Sequence, residues 1–315
     1  MPKHETVCAV VVTYNRKNIL LECLDSLLKQ THALDAIYLI DNASSDGTPD
    51  MLKKAGFIKE ILSGQSETVE DEHSIRMLSE GTQGKEVTIH YVRMHKNTGG
   101  AGGFHEGVKR GYNKGYQWLW LMDDDCLPQI NCLELLFKAT RLNTYALYGP
   151  IVADADTGEY VWVSADLKQK HFHSDTHMVR YVPFNGLLIN RWVVHQIGLP
   201  LSKMILYGDD VEYGLRAKRM GFNSYISLKS YLTHPRVKTV NIMFSILKCP
   251  YLYDEKRGYY RLRNGIYISK HYARELGLGW IRLIFRLIKN SACWIFGRSI
   301  SHKTIIQAII DGVRM

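Results

Sequence analysis

The sequence predicts an α/β fold in which helices flank a mainly parallel central sheet, followed by a basic, amphipathic helical extension. Apolar, β-branched segments alternate with segments of helical periodicity through the first 125 residues. This alternation is typical of βαβ crossovers, which place neighbouring strands parallel to each other. Clusters of Asp, Asn and Gly follow the apolar segments, and parallel sheets bind ligands beyond the carboxyl ends of their strands.

Four strands are predicted in the first half of the chain. The run "CAVVVTY" at 8–14 has the composition of a strand buried on both faces, and apolar residues then repeat at helical spacing from Ile19 to Leu28. Residues 63–86 are polar and aperiodic, which predicts a surface excursion. The other three predicted strands begin at Ala36, Val87 and Trp118.

Beyond residue 150 the alternation weakens, but a helix and a strand remain recognisable. The segment "DDVEYGLRAKRMGF" at 209–222 predicts a helix, and "SYISLKSYLTHP" predicts a strand that ends at His234. The chain shows no internal repeat, no low-complexity segment and no clear linker. We therefore expect the sheet and its helices to form one unit.

Composition and charge narrow the classes of protein. The six cysteines form no CxxC pair, which favours a reducing compartment over a disulfide-rich secreted protein. The N-terminal segment lacks the apolar region of a signal peptide, and no apolar run reaches the roughly 18 residues of a spanning helix. Residues 256–315 hold 12 Lys and Arg against 2 Asp and Glu, whereas the whole chain holds 40 against 31. A nearly neutral body therefore carries a strongly basic tail.

Three adjacent carboxylates follow the fourth predicted strand, in "WLWLMDDDCLP". Asp123, Asp124 and Asp125 would raise one another's pKa unless a cation neutralises them. Carboxylates at a strand end suit Mg²⁺ or Mn²⁺, whose remaining ligands are usually substrate phosphates. The alternative interpretation is a solvated acidic turn, which the apolar residues directly before the triplet disfavour.

Two further segments have the residues of a binding or catalytic site. In "HKNTGGAGGFHEG" the glycines allow close approach of the backbone and the helix N-terminus suits a phosphate, although a purely structural turn is the alternative. Asp209 and Asp210 begin a predicted helix, where carboxylates serve either as caps or as a general base towards a hydroxyl. His234, taken alone, is more often an ordinary histidine at a strand end than a metal ligand.

Together, five ordered motifs resemble a family 2 inverting glycosyltransferase of the GT-A fold, a Rossmann-like architecture. The resemblance covers residues 6–236 and is strongest to bacterial galactofuranosyltransferases, with rhamnosyltransferases as the nearest competitor. It implies a GT-A catalytic domain at 1–240, with a nucleotide-sugar half at 1–125 and an acceptor half at 126–240, and a helical extension at 241–315. The motifs are "VVTYNRKNILLECLDSLL", "IYLIDNASSDGT", "NTGGAGGF", "WLWLMDDDCLP" and "GDDVEYGLRAKRMGF".

The resemblance also implies roles for individual residues. Asp210 would be the catalytic base, and Asp123, Asp125 and His234 would hold Mn²⁺ or Mg²⁺. The acceptor side is expected to include Trp162, Asn185, Gly186 and Asp209. The donor nucleotide is expected to contact Thr13, Tyr14, Arg16, Asp41, Asn97, Gly99, Gly100, Asp123 and Asp124.

One position departs from the pattern. Gly208 precedes the acid pair, where galactofuranosyl polymerases tend to carry Trp, and the chain is much shorter than those polymerases. Acceptor geometry and polymerising ability therefore do not follow from the resemblance.

The basic tail contains a segment typical of a membrane interface. In "GLGWIRLIFRLIKNSACWIFGRS" at 277–299, basic residues share a helical face and aromatic and aliphatic residues fill the rest, which predicts binding to an anionic membrane surface. A helix docked on the catalytic domain and an oligomer contact are the alternatives. Residues 259–272 mix Arg, Lys and Tyr but match no recognised nucleic-acid module, so we expect no nucleic-acid partner.

The expected function is metal-dependent, inverting transfer of galactofuranose from UDP-galactofuranose to a lipid-linked or cell-surface glycan. The expected location is cytoplasmic, peripheral at the inner face of the cell membrane. The alternative donor is dTDP-rhamnose, and self-association into a homo-oligomer is left open. A sugar-1-phosphate nucleotidyltransferase would need a Gly-rich phosphate loop after the first strand, which "TYNRKN" lacks. A non-enzymatic lipid- or nucleic-acid-binding module would leave the aspartates unexplained.

Overall fold

The computed structural model of the chain describes residues 5–61, 72–81, 84–161, 174–235, 239–242, 247–250, 255–277 and 301–315. Its strands are β1 (Val7–Thr13), β2 (Ala36–Asp41), β3 (Glu72–Leu78), β4 (Glu86–Arg93), β5 (Trp118–Asp123), β6 (Leu127–Pro128), β7 (Leu147–Asp154), β8 (Tyr160–Val161), β9 (Thr176–Val179), β10 (Leu187–Asn190), β11 (Ser224–His234), β12 (Thr239–Ile242) and β13 (Leu247–Pro250). Its helices are α1 (Lys17–Leu28), α2 (Thr48–Lys54), α3 (Gly99–Lys114), α4 (Cys132–Thr140), α5 (Arg191–Ile197), α6 (Asp209–Arg219), α7 (Glu255–His271) and α8 (His302–Arg314), with a 3₁₀ turn at Ser202–Met204.

The centre of the sheet is parallel, as the alternation of strands and helices predicted. The sheet has the order β3-β4-β2-β1-β5-β10-β7-β11-β6, with β8 beside β7 and β9 beside β11. Strands β4, β2, β1 and β5 all run in the same direction. Thr13 of β1 pairs with Asp41, and Val12 pairs with Asp123, so the polar residues at three strand ends come out at one edge of the sheet.

Antiparallel strands complete the sheet on both sides. The strand β3 pairs antiparallel with β4, so part of the segment predicted to be a surface excursion belongs to the sheet edge. On the other side, β10 runs antiparallel to β5 and β7. The two-residue strand β6 pairs with the end of β11, where Leu127 lies opposite Thr233. This short pairing brings the turn after β5 next to His234.

The core lies on both faces of the sheet, and β1 shows why. All seven residues of β1 are buried. Burying one such aliphatic side chain contributes roughly 1.5–3 kcal/mol, so the strand anchors both layers. Val7, Ala9 and Val11 pack in the cluster that includes α1, and Cys8, Val10 and Val12 pack in the cluster that includes α3.

The described part of the C-terminal region begins with the antiparallel pair β12–β13, which the expectation of a wholly helical extension did not include, and continues with helices α7 and α8. Ile305 and Ala308 of α8 pack against Leu262 and Ile266 of α7 in a small apolar cluster. The amphipathic segment predicted at 277–299 falls, except for its first residue, outside the described residues. Among the residues that the structure describes, no helix is long and apolar enough to cross a membrane.

The segment that leads into α6 has an unusual backbone. Ile205, Tyr207 and Gly208 have φ angles of 62°, 65° and 82°, and this left-handed region is unfavourable for a β-branched residue such as Ile205. A Cβ atom at Gly208 would also lie 2.9 Å from Cδ1 of Ile268 in α7. The glycine before the acid pair is therefore favoured both by its backbone conformation and by the packing of α7.

Helix α7 holds this segment in place through two side chains. Arg263 donates from Nη2 to the Lys203 carbonyl oxygen at 2.7 Å and from Nε to Oδ1 of Asn264 at 2.9 Å. Asn264 is buried, so water cannot easily replace its amide as a hydrogen-bond donor to the neighbouring backbone carbonyl oxygens. The two hydrogens of its Nδ2 are shared among the carbonyl oxygens of Met204, Leu206 and Tyr207, at 2.8, 2.9 and 2.8 Å, and Met204 also accepts from Arg263 Nη2 at 3.1 Å.

We expect Asn264→Ala to lower the free energy of unfolding by about 2–3 kcal/mol, because it leaves buried carbonyl oxygens without donors. Ala is the better helix former, so the loss would not come from α7 itself. Urea denaturation followed by circular dichroism measures the change. Lys256→Ala, at an exposed position of α7, is the control and should stay within about 0.5 kcal/mol of the wild type. Equal stability of the two variants would contradict the proposed restraint.

Candidate active site

The aspartate triplet lies in the turn that joins β5 to β6. Thr13, at the end of β1, donates from Oγ1 to Oδ2 of Asp124 at 2.6 Å. Arg16 lies just before α1, and its Nη1 is 3.3 Å from Oδ1 of Asp124 and forms an ion pair with Asp125. The chain thus supplies its own cation to two of the three acids. Arg16 was predicted to contact the donor nucleotide, and its side chain remains half exposed.

Burial and these contacts shift the three carboxyl groups in different directions. Burial raises the pKa of Asp124 to about 6, against the opposing effects of Arg16 and Thr13. Burial also raises the pKa of Asp123, and the nearby charge of Asp125 raises it further. At Asp125 burial is outweighed by His234 and Arg16, which lower its pKa. Asp125 is therefore the acid of the triplet that stays ionised most readily, as a metal ligand must.

Asp125 and His234 form the centre of a group with the geometry of a metal site. His234 Nε2 lies 3.0 Å from Asp125 Oδ1. That oxygen is buried and accepts no hydrogen bond from the described part of the chain. His234 Nδ1 lies 2.6 Å from the Pro235 carbonyl oxygen, which can only accept, so the Nδ1 atom carries a proton. Nε2 is thus the nitrogen with a lone pair for a cation in the neutral ring.

Cys126 is the third member of this group, and the sequence did not predict it. The ligand atoms of Asp125, Cys126 and His234 all lie within 4.8 Å of one another, and all three residues are buried. Burial raises the pKa of the Cys126 thiol well above its usual range, so the thiol stays protonated. Asn185, predicted on the acceptor side, donates to Cys126 Sγ at 3.3 Å.

This donor set fits a hard divalent ion. One carboxylate and one imidazole, completed by substrate oxygens, suit Mn²⁺ or Mg²⁺, whereas a protonated thiol is a poor ligand for either. The carboxylate of Asp123, the third predicted ligand, does not belong to the group found among the described residues. Asp123, at the end of β5, still lies close enough to Asp125 for the charge of Asp125 to raise the pKa of Asp123.

The second acid pair lies at the start of α6. Burial raises the pKa of Asp209 well above its usual range, with further contributions from Asp210 and Asp123. Burial also raises the pKa of Asp210, to about 6, while its Oδ1 accepts a hydrogen bond from the Val211 amide at 2.7 Å. Because Asp209 and Asp123 interact electrostatically, the acid pair and the triplet belong to one site.

The predicted donor loop forms the N-terminus of α3. Gly99 lies so close to the segment before α6 that a Cβ would be 2.0 Å from the Ile205 carbonyl oxygen, whereas a Cβ at Gly100 would meet open space. Asn97 Oδ1 accepts a hydrogen bond from the Gly99 amide at 2.8 Å. Asn42, which follows β2, donates to the Gly99 carbonyl oxygen at 2.8 Å. Asn42 was not among the predicted site residues, although its place directly after a strand was a signal.

The other predicted residues differ in how accessible they are. Tyr14 is exposed beside the triplet, but Asp41 is fully buried. Both carboxylate oxygens of Asp41 accept hydrogen bonds, from the Ser44 amide and from the Tyr91 hydroxyl, each at 2.8 Å. A Cβ at Gly186 would lie 2.7 Å from Leu232 and Pro150 atoms, so close packing requires glycine there. Trp162 lies outside the described residues.

Solved structures with low sequence identity share this fold. The structure of Staphylococcus aureus TarS 1-349 in complex with UDP aligns with a TM-score of 0.57 and 14% identity, over 98% of this chain and 80% of that chain. The structure of GalNAc-T7 with UDP, GalNAc and Mn²⁺ aligns with a TM-score of 0.57 and 13% identity, over 99% of this chain. This chain spans 58% of the GalNAc-T7 chain.

Curated relatives and a family model match nearly the whole sequence. Galactofuranosyltransferase GlfT1 of Mycolicibacterium smegmatis is 26% identical over 309 residues, which cover 91% of this chain and 92% of the relative. The protein of the same name from Mycobacterium tuberculosis is 26% identical over 303 residues, 90% of each chain. The family model described as "Glycosyltransferase like family 2" matches residues 4–245. The chain therefore belongs to glycosyltransferase family 2, and its sheet has the GT-A fold.

Proposed function

We propose that this glycosyltransferase moves galactofuranose from UDP-galactofuranose to a hydroxyl of a lipid-linked or cell-surface glycan, with inversion and with Mn²⁺ or Mg²⁺. One arrangement carries the proposal: a buried group suited to a divalent ion lies in the same site as a second, buried acid pair. The choice of sugar is supported by the names of the curated relatives, which match over most of their length.

The donor side of the site combines a helix N-terminus with the metal group. The amides at the start of α3 have no acidic side chain in the first turn, and such an N-terminus favours a phosphate. Asp125 and His234 would hold the divalent ion, and Thr13 and Arg16 orient the neighbouring acids. A bound ion would offset the negative charge that grows on the leaving diphosphate.

The acceptor side depends on Asp210. A general base works best when its pKa lies near the working pH, and burial brings the pKa of Asp210 to about 6. The Val211 amide fixes the orientation of the carboxylate. We infer that Asp210 accepts the proton of the acceptor hydroxyl as that oxygen attacks the anomeric carbon opposite the diphosphate.

We expect Asp210→Asn to lower kcat by about 10²–10⁴-fold, because the amide cannot accept the proton, while the affinity for UDP with Mn²⁺ stays close to that of the wild type. Transfer assayed by mass spectrometry and UDP binding measured by calorimetry separate the two effects. Equal losses of affinity and turnover would argue against a role as base.

The pH dependence of the wild type provides a second measurement of the same role. The raised pKa of Asp210 means that its base form is lost as the pH falls through about 6, so kcat should fall there. The residual activity of Asp210→Asn should lack this acid limb. An unchanged limb in the variant would assign the titration to another group.

A donor panel tests the proposed substrate directly. UDP-galactofuranose should give a transfer product with Mn²⁺ and none with a chelator, and His234→Ala should need more Mn²⁺ for half-maximal activity because it removes one ligand. Mass spectrometry detects the product. Transfer from dTDP-rhamnose alone would replace the proposed donor, and full activity of the chelated enzyme would contradict the metal site.

We further propose that the C-terminal region contacts an anionic membrane surface. One face of α8 packs on α7, but the opposite face carries apolar side chains that are 36–59% exposed. Lys303 and Arg314 flank this face, and the preceding segment at 278–300 is rich in Arg and aromatic residues. A basic helix with an exposed apolar face suits an anionic bilayer interface. The exposed residues are Ile306, Ile309, Ile310 and Val313.

We expect the double substitution Ile306→Ser and Ile310→Ser to reduce recovery of the protein with anionic liposomes in a flotation assay, because it removes apolar contacts one helical turn apart. Gln307→Ser, at an exposed polar position of the same helix, is the matched control and should float like the wild type. Unchanged flotation of the double variant would exclude this face of α8 as the membrane contact.

A further inference from the structure

A second cation, Arg261, interacts with the acid pair, whereas Arg16 pairs with the aspartate triplet. Arg261 belongs to α7 and lies one helical turn before Asn264, so the same contacts that hold the segment before α6 also fix its position. Its guanidinium carbon is 5.3 Å from the centre of the Tyr207 ring. Arg261 and Asp210 interact electrostatically, and Tyr207 precedes Asp210 by three residues, so the guanidinium lies near the start of α6.

Arg261 differs from its basic neighbours because none of its guanidinium nitrogens donates a hydrogen bond to the described part of the chain. Arg263 donates to backbone carbonyl oxygens, and Lys270 donates to the Val313 carbonyl oxygen at 2.7 Å. Arg261 makes no hydrogen bond or ion pair with the described residues; its guanidinium lies over the Tyr207 ring and interacts electrostatically with Asp210 and Tyr181. Burial lowers its pKa because it disfavours the charged form. An anionic ligand that binds the guanidinium would offset the free-energy cost of this burial.

The charges around the site indicate which partner fits. The described carboxylates at this edge are concentrated in the triplet and the acid pair, and Arg16 is already paired with Asp124 and Asp125. A diphosphate that enters this acidic cleft needs positive charge beyond the metal ion. The planar guanidinium of an arginine matches the spacing of phosphate oxygens and binds them in a bidentate manner.

We propose that Arg261 binds a phosphate oxygen of the substrate, an inference that rests on the proposed transfer from a nucleotide sugar. The phosphate belongs either to the donor diphosphate or to a phosphate of a lipid-linked acceptor, which are the two sources of this chemistry at the site. In both cases α7 supplies a substrate contact from a part of the chain that follows the matched family region.

Binding measurements on the full-length chain test the proposal. Calorimetry with Mn²⁺ compares UDP with uridine, which lacks phosphate, for the wild type, Arg261→Gln, Arg261→Lys and the exposed basic control Lys256→Gln. If Arg261 binds the donor diphosphate, Arg261→Gln should bind UDP about 10- to 100-fold more weakly and uridine equally well. Arg261→Lys should retain part of the affinity, and Lys256→Gln should match the wild type.

A second titration covers the acceptor. Inorganic phosphate is added to the protein saturated with UDP and Mn²⁺, and binding by the wild type but not by Arg261→Gln would assign the contact to an acceptor phosphate. Equal binding of both ligands by wild type and variant would overturn the inference while leaving the proposed function intact. Equal losses of uridine and UDP affinity would also overturn it, since they indicate a structural role. Failure of the wild type to bind UDP would refute the proposed function and this inference with it.

Discussion

The burial of adjacent carboxylates at the end of β5 is the constraint on which the rest of the site depends. A buried charge without a partner is strongly unfavourable, so each acid must be compensated. Thr13 and Arg16 compensate Asp124 and Asp125 from the end of β1, and His234 does so from the end of β11. These partners meet only because the sheet brings the ends of those strands to one edge. The buried aspartates can therefore be compensated only in a sheet with this order of strands.

Much of this arrangement could be predicted from the sequence. The strands β1, β2, β4 and β5 have long apolar runs, and their alternation with helices determines a parallel centre whose carboxyl ends coincide. The position of His234 beside Asp125 followed from a family resemblance rather than from periodicity. Periodicity could not predict it, because the contact depends on the two-residue strand β6, which is too short to leave a pattern.

The contacts that the sequence missed are of a different kind. Cys126 lies with Asp125 and His234 in the group suited to a metal ion because of the conformation of the turn after β5. The sequence alone does not determine that conformation. Asn264 contacts three backbone carbonyl oxygens. A sequence does not show which backbone acceptors a side chain will contact after folding. The Arg- and Tyr-rich stretch around Asn264 matched no recognised nucleic-acid module, and its sequence alone indicated no other role. In the structure, Arg263 and Asn264 instead satisfy the backbone of a neighbouring segment.

The dependence of the α6 segment on α7 has a consequence for how the protein becomes active during synthesis. The sheet, the aspartate triplet and the acid pair all leave the ribosome before Asn264 does. Until α7 has emerged and docked, the backbone around Ile205 and Tyr207, with its positive φ angles, lacks the hydrogen bonds that Asn264 donates to it. In a nascent chain the aspartate triplet can therefore form before the segment that leads into the acid pair receives its contacts from α7.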